Sequence, residues 1–430
     1  MESIYLSGMN PRWSPVTEHD LASAVTAGLL EETHYLELKR ELESGKTKNR
    51  EHARDLASFA IDGGTILVGI QEDKSAGVLT LAPQPLQGLR ERIESIARTI
   101  PDPPLSIITR VVPSVADAAA GYLVVHVPPS ASAPHMVDNR YLGRGDSAKY
   151  YLSDAEVLRL HERRRQQEGD ALIMIGQEFA RDPVPEAEQQ QAHLFVLAEP
   201  LAPRPEMFLS QLHQQGLLGL VARGAWGDAT TRALGPGEKF NPELSAASQY
   251  ARRAAGAALS TYGLKSDRSL DSPSSGWEDI VELEVSEDGA IRIMMGRLSD
   301  ALPRDGAEST QYLFDAAAVI YVRRMMGLVL EVAGQTGYFG GWALAVGATG
   351  LRGLSAYDPS GWALTQSFED DTYKRATLAS YADLVAQPGS LTDRLLGRFL
   401  RKLNTYTRYT QQLSNPPTVE SGQHERDRTV

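Results

Sequence analysis

Apolar and polar positions follow two different periods along the chain, and each change of period marks an element. Leu36 and Leu38 alternate with Tyr35, Glu37 and Lys39, which predicts a half-buried strand carrying Glu37 and Lys39 on one face. Thr65–Ile70 is an almost wholly apolar run, as expected of a strand covered on both sides. Leu86, Leu89, Ile93 and Ile96 recur at helical spacing and predict a helix from about Pro85 to Ile100. Capping patterns place further helices from Glu18 to about Leu30, after Thr17 with Asp20, and from Ser153 with Glu156 through Arg165. Another is expected from about Arg50 to Ile61, ending at Gly63 and Gly64. With strands at Leu105–Val112 and Tyr122–Val127, residues 1–165 form a unit that mixes helices and strands.

Residues 166–190 are charged and rich in glutamine, which predicts a linker with a helix through its middle. Residues 191–412 form a second mixed unit. Strands are expected at 194–199 and within 340–351, a Pro-led helix at 205–215, and a hairpin at 279–295. A long buried helix is expected at Tyr312–Val332, and a last amphipathic helix capped by Ser390. The tail, 413–430, is polar and expected to be disordered. The fold class is therefore α+β, with two units.

Composition narrows the function. The 430 residues include no cysteine, which excludes disulfide scaffolds, zinc–thiolate sites, iron–sulfur clusters and thiol nucleophiles. Any metal here has to be held by harder ligands such as carboxylates. No signal peptide or membrane span is visible, so a soluble cytoplasmic protein with no membrane partner is expected. The net charge is −12, but residues 1–165 carry 19 basic and 22 acidic side chains, so most of the excess belongs to the second unit. A nucleic-acid site, if present, is local to the first.

Three blocks carry candidate chemistry: Glu32 with Glu37-Leu38-Lys39, Ser58–Asp73 (SFAIDGGTILVGIQED), and Pro134-His135 followed by Arg140–Ser147 (RYLGRGDS). In this order and spacing they resemble the Schlafen AlbA-like domain over about 135 residues. One departure stands out: Ile61 occupies the position where that family carries Asn, and the turn is one residue shorter. The resemblance implies a metal-dependent endoribonuclease acting on structured, tRNA-like RNA, with Mg²⁺ or Mn²⁺ on three carboxylates. It assigns the first two to Glu32 and Glu37 and the third to Glu72 or Asp73. It also implies an antiphage effector whose second unit senses a protein or small-molecule trigger, and it leaves a homo-oligomer open.

The residues themselves allow more than one reading. Lys39 could hold a phosphate or pair across the strand with Glu37. Lys46, Lys48, Arg50 and Arg54, in an expected loop, are candidate phosphate contacts. Arg144 between two glycines reads as an exposed guanidinium for bidentate phosphate binding, with Arg140 four residues earlier. His135 is a loop residue that could contact RNA or move a proton. Two other functions compete: a non-catalytic DNA-binding regulator, and an ATP or nucleotide sensor that uses the Gly63-Gly64 turn. No P-loop sequence supports the last.

Overall fold

The computed structural model describes residues 15–73, 77–146, 148–225, 234, 242–265, 267–269, 278–304, 307–358 and 365–415. Most of the expected tail, from 416 on, lies outside the described residues, as does Ser147.

The first unit is a sheet with helices on both faces. Helix α1 (Glu18–Thr26) starts at the Thr17–Asp20 capping box and ends four residues before Leu30. Strand β1 (Leu36–Lys39) runs parallel to β2 (Gly64–Val68). A parallel pair needs a crossover, and α2 (Lys46–Phe59) supplies it. The apolar run continues past Gly69, whose φ of +101° turns the chain into the hairpin of β3 (Ile70–Asp73) and β4 (Val78–Leu81). After β5 (Gln84–Pro85) come α3 (Leu89–Thr99), β6 (Ile108–Pro113) and β7 (Ala120–Val127). Strand β7 pairs with β2, β5 and β6, so the order is β1-β2-β7 with β5 and β6 beyond. Alternation sorts the core: Ile66, Val68 and Leu123 face α2 and α3, while Leu36, Leu67 and Val124 face α1. A small antiparallel sheet of β8 (Met136–Val137), β9 (Arg140–Arg144) and β10 (Lys149–Tyr151) lies against α2.

Helix α4 (Asp154–Ala180) leaves β10 through the Ser153–Glu156 capping box. It runs unbroken through most of the segment expected to be a linker. Its second half packs Ala171 and Ile175 on Phe195, Leu197 and Ala343 of the second unit. That unit is a fully antiparallel seven-stranded sheet, ordered β12-β13-β14-β15-β11-β18-β20. The strands are β11 (His193–Pro200), β12 (Gln249–Arg253), β13 (Gly256–Ser260), β14 (Val281–Ser286), β15 (Ile291–Met295), β18 (Gly341–Thr349) and β20 (Tyr373–Ser380). A side sheet joins β16 (Ser299–Arg304), β17 (Ala307–Leu313) and β19 (Ser355–Ala356). The face opposite α4 is covered by α5 (Gln214–Gly224), α6 (Asp315–Thr336) and α8 (Pro388–Lys402), with the short α7 (Tyr381–Ala386) alongside.

In the second unit three expected elements differ. The helix placed at 205–215 is a turn with a 3₁₀ stretch at Leu209–Gln211, and the true helix starts after His213, whose ring accepts from the Gly216 amide. Tyr312 and Leu313 finish β17, so α6 starts at Asp315. Helix α8 begins at Pro388 rather than after Ser390, whose amide donates to Asn415. The units touch directly: Ser106 Oγ donates to Asp383 Oδ1 at 2.8 Å and accepts from Gln387 Nε2 at 3.2 Å. Among the described residues no helix is long and apolar enough to cross a membrane.

Candidate nucleic-acid interface

Helix α2, β1 and the β9–β10 hairpin meet at a line of alternating charges. Glu37 and Lys39 share the face of β1 that is turned to α2, as their alternation predicts. Lys39 Nζ lies 3.2 Å from Glu37 Oε1 and 2.8 Å from Asp55 Oδ2 on α2. Lys149 on β10 binds the other Asp55 oxygen. At the far end, Arg144 Nη2 donates to Glu37 Oε2 at 2.7 Å. The line therefore reads Arg144–Glu37–Lys39–Asp55–Lys149.

Burial alone would raise the Asp55 carboxyl. The ammonium groups of Lys39 and Lys149 outweigh that, and its pKa falls below the ordinary value. Burial would likewise lower Lys39, but Asp55 and Glu37 outweigh it and hold its pKa above the usual lysine value. Both groups are charged at neutral pH.

Two sequence expectations are overturned here. Arg144 is not an exposed phosphate hook. Its residue is 6 % exposed, its Nε donates to Thr33 O at 3.2 Å, and its guanidinium lies 4.3 Å over the Phe59 ring. It ties β9, β1 and α2 together. The neighbouring Gly143 is needed because Leu152 and the Tyr150 ring rest where a Cβ would stand, at 2.7 and 3.1 Å. His135 is fully buried, with Nδ1 2.6 Å from Pro103 O and Nε2 2.7 Å from Ser130 Oγ. Burial lowers its pKa, so it is a neutral packing residue out of reach of RNA.

The expected metal ligands are not gathered. Glu32 is exposed, and its Oε1 accepts from the Leu38 amide at 3.2 Å, closing the turn before β1. Glu72 and Asp73 are exposed on the β3–β4 hairpin. Glu37 is held by Arg144 and Lys39. Among the described residues no group of three or more Asp, Glu or His could hold a metal ion. The side chains present do not fit the three-carboxylate site, so no step is routed through Mg²⁺ or Mn²⁺. The Gly63-Gly64 turn is filled by protein as well: a Cβ on Gly64 would meet Phe59 at 2.0 Å, and one on Gly63 would meet Pro129 at 2.8 Å.

Helix α2 starts four residues earlier than expected, so Lys46 and Lys48 sit on it together with Arg50 and Arg54. Lys46, Arg50 and Arg54 fall at i, i+4 and i+8, one face of the helix. Arg50 Nε and Arg54 Nη2 reach Asp138 at 3.3 and 2.7 Å, and Lys48 pairs with Glu43 at 2.5 Å and Glu51 at 3.3 Å. Beside the β8–β9 turn, the exposed Arg140 lays its guanidinium 4.6 Å over the ring of Tyr151, which is 51 % exposed. Tyr150 is also exposed, and its hydroxyl donates to Glu156 at 3.1 Å. Cations and an outward ring thus share one surface.

Residues 32–153 match the Schlafen, AlbA_2 family model. The first unit of this α+β chain thus carries a Schlafen AlbA_2 domain, and this family points to a nucleic-acid-related function. A comparison with curated proteins finds no match for the chain. In this domain the motif residues Glu37, Lys39 and Arg144 form one network, whereas Glu32, Glu72 and Asp73 do not join them. Sequence reasoning missed Asp55, Lys149, Tyr150 and Tyr151. Asp55 had left a signal, because it stands three residues after His52 and four before Phe59, on the face of α2 that carries Leu56 and Ala57 toward the core.

Proposed function

We propose that the Schlafen AlbA_2 domain binds unpaired nucleic acid, with RNA the preferred ligand, on the surface made by α2, β9 and β10. The observation that carries this is Arg140 stacked on the half-exposed Tyr151 beside Arg50, Arg54 and Lys46. An outward ring on a strand stacks on a base that is splayed out, and neighbouring cations follow the phosphates. The ion pairs of Arg50 and Arg54 with Asp138 are exposed, worth about 0–1 kcal/mol each, and are readily exchanged for phosphate. The charge line from Arg144 to Lys149, buried at Arg144 and Asp55, holds this surface in shape.

The finer reading, a metal-dependent endoribonuclease with an antiphage role, needs three acids on one ion. What favours it is the pair of carboxylates, Glu37 and Asp55, on either side of Lys39. The experiment incubates an unpaired RNA, its DNA counterpart and the corresponding duplex DNA with the protein and with Glu37→Gln, in Mg²⁺ or Mn²⁺. Complex formation with intact RNA supports binding. Cleavage by the wild type that Glu37→Gln abolishes supports the nuclease. Absence of both complex and cleavage refutes the proposal, and tighter binding of duplex DNA would favour the regulator.

A further inference from the structure

Where the two units meet there is a cavity of about 340 Å³. Its walls come from three bodies: the first unit, α4, and the start of β18 with the loop before it. Pockets between domains are common sites for small ligands, and this volume lies at the small end of their range.

The chemistry of the walls is directional. Leu160, Arg163, Arg164 and Gln167 of α4 line it, at i, i+3, i+4 and i+7, so one helical face is turned to it. Arg164 spends an Nη1 donor on Ser132 O at 3.4 Å. Among the described residues, no carboxylate pairs with Arg163 or Arg164. The acid in the wall, Asp62, is tied to His34 Nε2 at 3.1 Å. Two arginines therefore line the space without a carboxylate partner among the described residues. The rest of the lining includes flat and apolar surfaces, Tyr35, Ile61 and Tyr338, and the Tyr338 ring packs against Gly340. Tyr338 is fixed, its hydroxyl donating to Gly341 O at 2.9 Å and accepting from the Ala202 amide at 3.2 Å.

We infer that this cavity binds a small anionic ligand that carries a flat ring, of the class of a nucleoside monophosphate, with its phosphate on Arg163 and Arg164. Arginine suits phosphate because its planar fork donates two parallel hydrogen bonds. The ring lies against Tyr35 and Ile61. A ligand held by all three bodies stabilises their present arrangement, so binding would be felt by the nucleic-acid domain and the second unit alike.

The test is calorimetric titration of the full chain with the four 5′-nucleoside monophosphates, with adenosine and inorganic phosphate as controls. The expected result is saturable binding of at least one monophosphate, tighter than phosphate or adenosine. Arg163→Glu should weaken it at least tenfold. Arg165→Glu, a charge reversal on the same helix outside the cavity, should leave it unchanged. Hydrogen exchange at 129–133 and 338–341 should slow on binding. No binding overturns the inference, and so does wild-type affinity in Arg163→Glu. If Tyr151→Ala abolishes binding while Arg163→Glu does not, the nucleotide sits on the nucleic-acid surface and the cavity is not the site.

Discussion

Replacing Asp55 by Ala removes the centre of the charge line. Lys39 Nζ stands 2.8 Å from Asp55 Oδ2, and the Asp55 side chain is 3 % exposed. Coulomb's law at an effective dielectric of about 20 gives an attraction of roughly 6 kcal/mol, much of it offset by the cost of taking both ions out of water. Removing one partner of a buried pair typically costs about 3–5 kcal/mol. Lys39 keeps Glu37 at 3.2 Å, and Lys149 is exposed enough to be resolvated, so the lower end applies, about 3 kcal/mol. Hydrogen exchange of the α2 amides reads this unit directly. At about 1.4 kcal/mol per factor of ten, exchange at residues 46–60 should accelerate about 100-fold. Asp55→Ala combined with Lys39→Met, which removes both ions, should recover most of the loss. Acceleration under about fivefold in Asp55→Ala, or a double variant worse than the sum of the singles, would refute the account of the network.

Other expectations follow from the same geometry. Arg144→Ala leaves Glu37 with Lys39 alone and uncovers the Phe59 ring, so it should destabilise the first unit by about 2–4 kcal/mol in urea titrations, rather than selectively weakening RNA binding. Gly64→Ala puts a Cβ 2.0 Å from Phe59 and should cost at least about 1–3 kcal/mol, seen as a lowered melting temperature. The His135 pKa is depressed in the folded state. Its contribution is complete above the ordinary histidine value of 6.5 and is lost as pH falls toward the folded pKa, so the urea midpoint should drop below about pH 6.5 and drop less in His135→Gln. Arg50→Ala with Arg54→Ala should leave stability within about 0.5 kcal/mol and lower the salt slope of RNA binding by about 1 per lost phosphate contact.

Much of this was readable in the chain, and what was not has physical causes. The alternation at 35–39 put Glu37 and Lys39 on one face, and the apolar run 65–70 marked a buried strand, because sheet geometry is local. The bend that splits this run in two rests on the positive φ of Gly69, and the ring of the distant Tyr122 packs where a Cβ would stand there. Arg144 was misread for the same reason. Glycine neighbours suggest exposure, but here Gly143 makes room for Tyr150 and Leu152, and Phe59, Glu37 and Thr33 close over the guanidinium from other elements. The motif acids Glu32, Glu72 and Asp73 follow the family order, yet order in sequence does not bring a turn and a distant hairpin together. Tyr151 left no signal in the sequence, and only its place on the edge strand β10 and the packing of Arg140 on its ring give it a role.

The central claim is that the Schlafen AlbA_2 domain grips unpaired nucleic acid on the Arg140–Tyr151 surface. Fluorescence anisotropy with a short unpaired RNA, comparing the wild type with Tyr151→Ala, tests this most directly. Loss of a stacked base is worth about 1–3 kcal/mol, so the account predicts a Kd weakened roughly 5- to 150-fold with folding unchanged. It also predicts weaker binding of the same sequence as a duplex. Equal affinity of wild type and Tyr151→Ala for the unpaired strand would contradict it.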